Sequence, residues 1–495
     1  MLYGLAGPWL PGGLAHRGLS LEITIDQTYF TTEGIFGVPL GVAATYVILF
    51  IIFGAFLEKS GAGQFFMNFA NAIAGGARGG PGKVSVVSSS LFGTISGSAV
   101  ANVMVDGWLT IPMMKRTGFK AEAAAAIEAV ASTGGQIMPP IMGAAAFVMA
   151  EFLGASYTQI MIAAAIPAIF YYGALFAAIH FNAVRSGLQG IPRNELPVLG
   201  HIIIRQGHLF LPVIVLLAFL LNGFTATYAA IVSAAFVVMI SWLRRSTRIG
   251  VRGILDALRE GAVHTVPVAM ACAAAGIVIG IVLQTGLALR FTSFLVALAG
   301  GHLILALLMT MAAGIVLGMG MPTTPAYIMQ AALLIPALIK LGVMPLAAHM
   351  FAFYFSCLSA VTPPVALAVY AAASIGRAGL WGAGLQAMKF AAAGFIVPFF
   401  FVYNPSLLFA GEWTEIGRAL LTGTIGVIAL AAGLEGYFIR TATWPERVLF
   451  LAAALLLIDP GVFTDLIGLS MLGLGLVMQK LRARAESVEA GVPAA

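Results

Sequence analysis

The chain has 495 residues, of which 60% are hydrophobic and 9% charged, and its mean hydropathy is +1.00. A soluble domain carries about 25% charged residues, so a water-soluble core is excluded and lipid must be the solvent. The net charge of +6 is not a nucleic-acid footprint, because the basic residues sit at loop edges.

Residues 1–33 are mixed and rich in Gly and Pro, and read as an extramembrane or interfacial lead-in without the basic start and apolar core of a cleavable signal. A first span covers about 34–57 and ends at Glu58-Lys59. Residues 60–83 read as an interfacial connector. Its turn GGARGGPGK (75–83) is no phosphate loop, since it lacks the GK[ST] ending and no strand precedes it. The segment 84–115 is apolar but interrupted at SGS (96–98), and 120–153 is interrupted at STGGQIMPP (132–140). Spans follow near 156–183, 207–221 and 224–243. Arg244, Arg245, Arg248, Arg252 and Arg259 then mark a cytoplasmic loop by the positive-inside rule, and Lys480, Arg482 and Arg484 put the C-terminus on the same side. Residues 251–263 are expected in the interface, with spans at 264–287 and 292–318, the second crossing a Gly-Gly pair. Two more interrupted segments come next: 319–340 opens with MGMPTTP, and 345–375 contains VTPP (361–364). A span near 383–404 and two or three further helices within 416–479 complete an all-α polytopic membrane protein.

Laying Ile111 on Ile335 aligns two regions of the chain without a gap. In that register Ile111-Pro112 falls on Ile335-Pro336, Gly118 on Gly342, Ala123-Ala124 on Ala347-Ala348, Ser132 on Ser356, and Pro139-Pro140 on Pro363-Pro364. These are eight identities in 30 positions, where roughly two or three are expected by composition. The matched features are helix breakers, and paired interruptions in two halves point to a transporter's binding site. A break frees carbonyl and N–H groups at membrane depth, which persists only inside protein or beside a wet cavity. Such groups coordinate hard cations, and half-helix N-termini hold anions. The first half offers Thr94, Ser96, Gly97, Ser98 and Asn102, with Ser132, Thr133, Gly134, Gly135 and Gln136. The second offers Thr323 and Thr324, with Ser356, Ser359 and Thr362. For each hydroxyl the competing reading is a bond back to its own helix.

Asp106, Glu128, Glu151, His264, Arg290, His349, Glu435 and Asp459 are ionisable residues inside apolar runs. Snorkelling at a helix end accounts for Glu151, Arg290 and Asp459. Asp106 and Glu128 flank the first pocket and are candidates for a proton or substrate role. Cys272 and Cys357 are too few for a disulfide framework or a transition-metal cluster, and no catalytic group or cofactor is expected. The rivals to a carrier are a passive channel and an intramembrane serine hydrolase using Ser96 or Ser98. The latter finds no membrane His before His180 and no GxSG order.

At GTISGSAVAN (93–102), EAVASTGGQIMPP (128–140), GMGMPTTPAYI (318–328) and AVTPP (360–364) the sequence resembles the large (M, DctM-like) subunit of the tripartite ATP-independent periplasmic (TRAP) transporters. The resemblance is to the TAXI branch, where small and large subunits are commonly fused, and TTEGIFGVPLG (31–41) and FGAFLEKSGAG (53–63) extend it. It implies an elevator-type fold with two inverted repeats, each with a re-entrant helical hairpin and a broken helix. On the chain this gives a lead-in at 1–33, a first repeat at 34–200, connecting scaffold helices and the basic loop at 201–263, a second repeat at 264–410, and extra C-terminal helices and tail at 411–495. One cation pocket is implied at Ser96, Gly97, Ser98 and Asn102 with Gly134, Gly135 and Pro139. The other is implied at Thr323, Thr324 and Pro325 with Thr362 and Pro363. Substrate, a small organic acid, would bind between the hairpin tips, driven by a Na+ or H+ gradient. The implied partners are a periplasmic substrate-binding protein, a small membrane (Q) subunit and the bilayer of a bacterial inner membrane. In fused members the small-subunit helices precede the region matching residue 1, so a separate gene for them, or a shortened sequence, is expected here.

Overall fold

The structure, a computed structural model, describes residues 1–12 and 15–489. The side chains of Thr94, Ile95, Ser96 and residues 483–489 lie outside the description. Seven helices among the described residues are long and apolar enough to cross a membrane. The chain runs α1 (Val38–Lys59), α2 (Ala62–Ala74), α3 (Gly80–Ser96), α4 (Ala99–Arg116), α5 (Ala121–Gly134), α6 (Ala144–Leu153), α7 (Tyr157–Arg185), α8 (Leu199–Leu221), α9 (Ala226–Ser241) and α10 (Val251–Gln284). It continues with α11 (Leu287–Leu298), α12 (Leu303–Gly318), α13 (Thr323–Leu333), α14 (Ile335–Lys340), α15 (Pro345–Leu358), α16 (Leu367–Gly376), α17 (Leu380–Tyr403), α18 (Trp413–Glu435), α19 (Trp444–Ile458) and α20 (Val462–Glu489).

The expected interruptions lie where Gly, Ser and Pro end one helix and start the next. Gly97 caps α3 in the left-handed region, and the Ser98 hydroxyl caps α4 by accepting from the Ala101 N–H. α5 gives way at Gly135 to a short 3-10 turn, and the chain restarts as α6 at Ala144. α12 stops at Gly318, and Pro322 precedes α13. α15 ends at Leu358 and α16 begins at Leu367. The register that lays Ile111 on Ile335 pairs conformations as well as letters. Met142 and Ala366 are both non-Gly residues with positive φ (61° and 36°), and Gly118 and Gly342 have φ of 99° and 91°.

One sequence expectation changes. The Gly-Gly pair does not cross a span: Gly300 and Gly301 both take positive φ and separate α11 from α12. Residues 251–263 form the first turns of α10, which runs unbroken to Gln284.

Polar ties show which helix ends lie together. At the end holding the basic loop, Lys59 of α1 pairs with Glu260 of α10 at 2.6 Å. Lys115 of α4 donates to the Gly376 carbonyl at the end of α16 at 2.8 Å, and Arg185 of α7 donates to the Glu435 carbonyl at the end of α18 at 2.7 Å. At the opposite end Thr158 donates to the Leu220 carbonyl, and Asn404 to the Pro460 carbonyl. The α3–α4 hairpin therefore enters from the basic end. The α12–α13 hairpin follows α10 and α11 and enters from the other. α16 packs on α4 and α5, α17 on α5, and α18 on α7, with α19 and α20 outside α18. Small residues allow these approaches: a Cβ on Gly423 of α18 would fall 2.2 Å from the Phe170 ring of α7.

Candidate functional site

The four helix breaks meet around one cavity of about 360 Å³. The first hairpin tip contributes Gly97, Ser98, Ala99 and Val100; the break after α5 contributes Gln136, Met142 and Ala144. From the second half come Met321, Pro322, Thr323 and Thr324 at the tip and Ala360 and Leu367 at the last break. α1 closes one wall with Val47, Phe50 and Ile51, and α10 adds Val268. Glycine sets the first tip: a Cβ on Gly97 would stand 2.8 Å from the Met142 carbonyl oxygen, so the tip rests directly on the neighbouring break. Below it, α3 crosses the 3-10 turn backbone to backbone, since a Cβ on Gly93 would lie 2.2 Å from the Gly135 Cα.

Helix starts, not charged side chains, give this cavity its electrostatics. Ala99 opens α4, Ala144 opens α6, Thr323 opens α13 and Leu367 opens α16, and all four residues line the cavity. Each start carries N–H groups that have no partner within the helix and the positive end of a helix dipole; of these the Ala101 N–H is taken by the Ser98 hydroxyl and the Ala368 N–H by the Ala360 carbonyl. No Lys, Arg, Asp or Glu is among the described residues that line it. The available polar side chains are Ser98, Gln136, Thr323 and Thr324, and the buried Gln136 amide nitrogen has no partner. A second cavity of about 380 Å³, between α6, α7 and the α8–α9 turn, carries the exposed carboxylate of Glu151 and touches no break of the second half.

Of the residues expected from sequence, Gly97, Ser98, Gln136, Thr323 and Thr324 line the central cavity. Thr94 and Ser96 have side chains outside the described residues. Asn102 lies behind the tip: its amide donates to the Ser89 carbonyl at 3.1 Å and the Ser132 carbonyl at 3.5 Å, and its buried oxygen is unpartnered. Gly134 and Gly135 back the break, Gly134 against the rings of Tyr171 and Tyr172. Those two tyrosines donate to the Val130 and Ala131 carbonyls at 2.8 and 3.0 Å, satisfying the frayed end of α5. Thr133 and Ser356 donate to the carbonyls of Ala129 and Ala352 on their own helices, and Thr362, in the last break, donates to the Leu358 carbonyl at the end of α15. Ser359 ties the last break to the second hairpin through the Gly318 carbonyl at 3.2 Å. Pro139 is half-buried and Pro325 buried, while Pro363 packs on α17 beside Gly384. None of these last residues lines the cavity.

Asp106 and Glu128 lie apart from the cavity, in a fully packed knot of α3, α4 and α5. Glu128 is 0% exposed. Its carboxylate meets the hydroxyls of Ser85 (2.8 Å), Thr110 (2.5 Å) and Ser132 (3.0 Å). Asp106 meets the Ser89 hydroxyl at 3.4 Å. Ser85 and Thr110 escaped sequence reading; their one signal is helical spacing, Thr110 one turn after Asp106 and Ser85 one turn before Ser89. The apolar wall residues Val47, Phe50, Ile51 and Val268 carried none. Elsewhere Glu151 and Arg290 are exposed and Asp459 is half-buried, while Glu435 is buried in an ion pair with Lys389 and His349 is buried against the Tyr327 hydroxyl.

Comparison with known proteins places this arrangement. The family model of the tripartite ATP-independent periplasmic transporter, DctM component, matches residues 11–416. A second model, described as a domain of unknown function (DUF3394), matches 419–472, within α18–α20. The sialic acid TRAP transporter large permease protein SiaM of Vibrio cholerae is 23% identical over 67% of this chain and 77% of its own length. The C4-dicarboxylate TRAP transporter large permease protein DctM of Pseudomonas aeruginosa is 31% identical over 38% of this chain and 44% of its own. For the 2,3-diketo-L-gulonate TRAP transporter large permease protein YiaN of Escherichia coli the identity is 24%, over 64% and 74%. The chain is thus a multi-pass membrane permease and not an enzyme: it belongs to the DctM family of TRAP transporter large permease components.

Proposed function

We propose that the protein takes up a small organic anion, a carboxylate, across a bacterial inner membrane, driven by a sodium or proton gradient. The observation that carries the reading is the ring of four helix starts around a cavity whose described lining residues carry no charged side chain. Helix N-termini bind carboxylates through N–H groups and dipole, and three related permeases are named for sialic acid, C4-dicarboxylate and diketogulonate. In this reading residues 34–200 and 264–410 are inverted repeats, and each hairpin is re-entrant. The gapless pairing of breaks between the halves and the hairpins' entry from opposite ends support it. The tips and broken helices move as a body against α1 and α10, in an elevator cycle. The cations sit at the two breaks, around Gly97, Ser98, Asn102, Gly134, Gly135 and Pro139, and around Thr323, Thr324, Pro325, Thr362 and Pro363. The protein works with a periplasmic substrate-binding protein and a small membrane subunit, as a TAXI-type system.

Uptake in proteoliposomes tests this. The chain is reconstituted with its small subunit and binding protein, and radiolabelled candidate acids are offered under an imposed sodium or proton gradient. Accumulation that collapses with the gradient is expected. No accumulation of any acid under either gradient, or flux that ignores the gradient as a channel's would, overturns the reading.

A further inference from the structure

We propose that Glu128 binds an exchangeable proton inside the permease. The inference rests on reading the chain as an ion-coupled carrier, and it adds a proton site that is separate from the helix breaks.

The carboxyl group is 0% exposed on α5, deep between α3 and α4. An ionised carboxylate removed from water needs a counter-charge, and among the described residues none reaches it. The titratable groups on the elements packed around it are Lys83 on α3, Asp106, Lys115 and Arg116 on α4, Tyr157, Tyr171, Tyr172, His180 and Arg185 on α7, His349, Tyr354 and Cys357 on α15, Tyr370 on α16, and Lys389 and Tyr403 on α17. Lys115 and Arg185 donate to the Gly376 and Glu435 carbonyls at the helix ends. Lys83 is engaged with the His180 ring at 3.1 Å and Lys389 with Glu435 at 2.8 Å. The hydroxyls of Tyr171 and Tyr172 are spent on the Val130 and Ala131 carbonyls. Asp106 adds a second acid to the same knot.

The geometry selects a proton over a metal cation. Oxygens around a hard cation stand about 2.3–2.6 Å from it, which at right angles keeps them roughly 3.3–3.7 Å apart. The Glu128 oxygens lie 2.5, 2.8 and 3.0 Å from the hydroxyl oxygens of Thr110, Ser85 and Ser132. Those spacings hold hydrogen atoms and leave no room for an ion between the oxygens.

The cage also fits both protonation states. With Glu128 ionised, all three hydroxyls donate to it. With Glu128 protonated, Oε2–H donates to the Thr110 oxygen, and Thr110 turns its own hydrogen to the Asp106 backbone carbonyl, 3.1 Å away. Proton uptake thus needs only a hydroxyl rotation and leaves no group unsatisfied.

Architecture alone does not demand this acid. In the register that pairs the two halves, Glu128 is matched by Ala352, Thr110 by Leu334 and Asp106 by Gln330. There the second half buries Ala352 and Leu334 in apolar packing and, in place of Asp106, a neutral amide, Gln330, which donates to the Gly314 carbonyl.

Infrared difference spectroscopy on the purified full-length protein in lipid nanodiscs tests the site without any substrate. As pH is stepped upward, the wild type should lose a protonated-carboxyl carbonyl band that Glu128→Gln lacks and Asp106→Asn keeps. Exchanging potassium chloride for sodium chloride at fixed pH should leave the band unchanged. Absence of a Glu128-dependent band, or its collapse on adding sodium, overturns the proposal, the second result in favour of a cation site. Should the glutamine variant fail to fold, Thr110→Val keeps the acid but removes its exchange partner. Its band should titrate with a midpoint displaced at least tenfold in proton concentration, and an unmoved midpoint counts against the cage described. The band requires no transport, so its presence in a protein that fails every uptake assay would sink the carrier reading and leave the proton site standing.

Discussion

Replacing Lys389 by Met should destabilise the protein by about 2–4 kcal/mol, and adding Glu435→Gln should restore most of that. Glu435 ends α18 with a side chain 1% exposed, and one carboxylate oxygen lies 2.8 Å from the Lys389 ammonium of α17, which is 31% exposed. The approach is too bent to make a hydrogen bond, so the pairing is Coulombic. The other oxygen accepts from the Asn182 amide of α7 at 3.0 Å. At an effective dielectric of about 20, charges at this distance attract by about 6 kcal/mol. Solvent at the lysine screens part of this, and losing the ammonium also spares its desolvation, which brings the net cost down to about 2–4 kcal/mol. Met keeps the packing of the lysine stem. In the double variant no charge is left buried, and the glutamine still accepts from Asn182. Reversible unfolding in mixed micelles of wild type, both single variants and the double variant measures the coupling. A lysine variant within about 0.5 kcal/mol of wild type would show that the pair is merely a surface contact. So would a double variant no more stable than the lysine variant.

Gly97→Ala should lower uptake and cost about 1–2 kcal/mol, because the residue holds φ at 59° and the new Cβ would meet the Met142 oxygen at 2.8 Å; transport rate and unfolding in the same micelles check both. Gly93→Ala should be worse, since its Cβ would strike the backbone of Gly135 at 2.2 Å with no flexible side chain to yield; monodisperse, wild-type-like elution of that variant would refute the close crossing. Thr324→Asp places a carboxylate in the first turn of α13, at the cavity. It should raise the apparent Km for an anionic substrate at least tenfold while leaving the amount of folded protein unchanged, because an acid near a helix start is itself favourable. An unchanged Km would remove the substrate from this cavity.

Much of this fold was legible because its punctuation is chemical. Gly, Ser and Pro mark each break in the sequence, and the gapless register of Ile111 on Ile335 paired them before any coordinates did. The helix starts that ring the cavity follow from the same letters: a chain that stops at Gly97 and restarts at Ser98 must point new N–H groups inward. Side-chain direction was not legible. Thr133, Ser356 and Thr362 have the composition of ligands, yet each hydroxyl takes the carbonyl four residues back, a choice between rotamers that spacing does not encode. The cage around Glu128 is drawn from Ser85 and Thr110, 43 and 18 residues away, so it exists only once three helices pack. The wall supplied by α1 and α10 reads in sequence like any lipid-facing surface. The Gly300–Gly301 pair misled because Gly inside apolar runs is common in membrane helices; here both residues are left-handed and end the helix.

Helix ends suit a carrier's binding site better than a lysine or arginine would. A full positive charge in this cavity would have to be desolvated or neutralised whenever substrate is absent, and that penalty would fall on the empty protein as it returns to reload. Each helix start contributes roughly half a charge, spread over N–H groups whose positions the backbone fixes. Four of them supply a potential of about two charges in the occupied state. In the empty state water and the neutral side chains of Ser98, Gln136, Thr323 and Thr324 can satisfy the same N–H groups. In the proposed cycle the attraction would therefore be present for the anion and mild without it, which would let both the loaded and the empty cavity cross the bilayer. A charge added to the wall, of either sign, upsets that balance. A lysine at Gln136 should hold the anion more tightly yet slow net uptake, while exchange of labelled for unlabelled substrate continues. Net uptake at the wild-type rate in Gln136→Lys would refute the argument that a charge on this wall slows the return of the empty cavity.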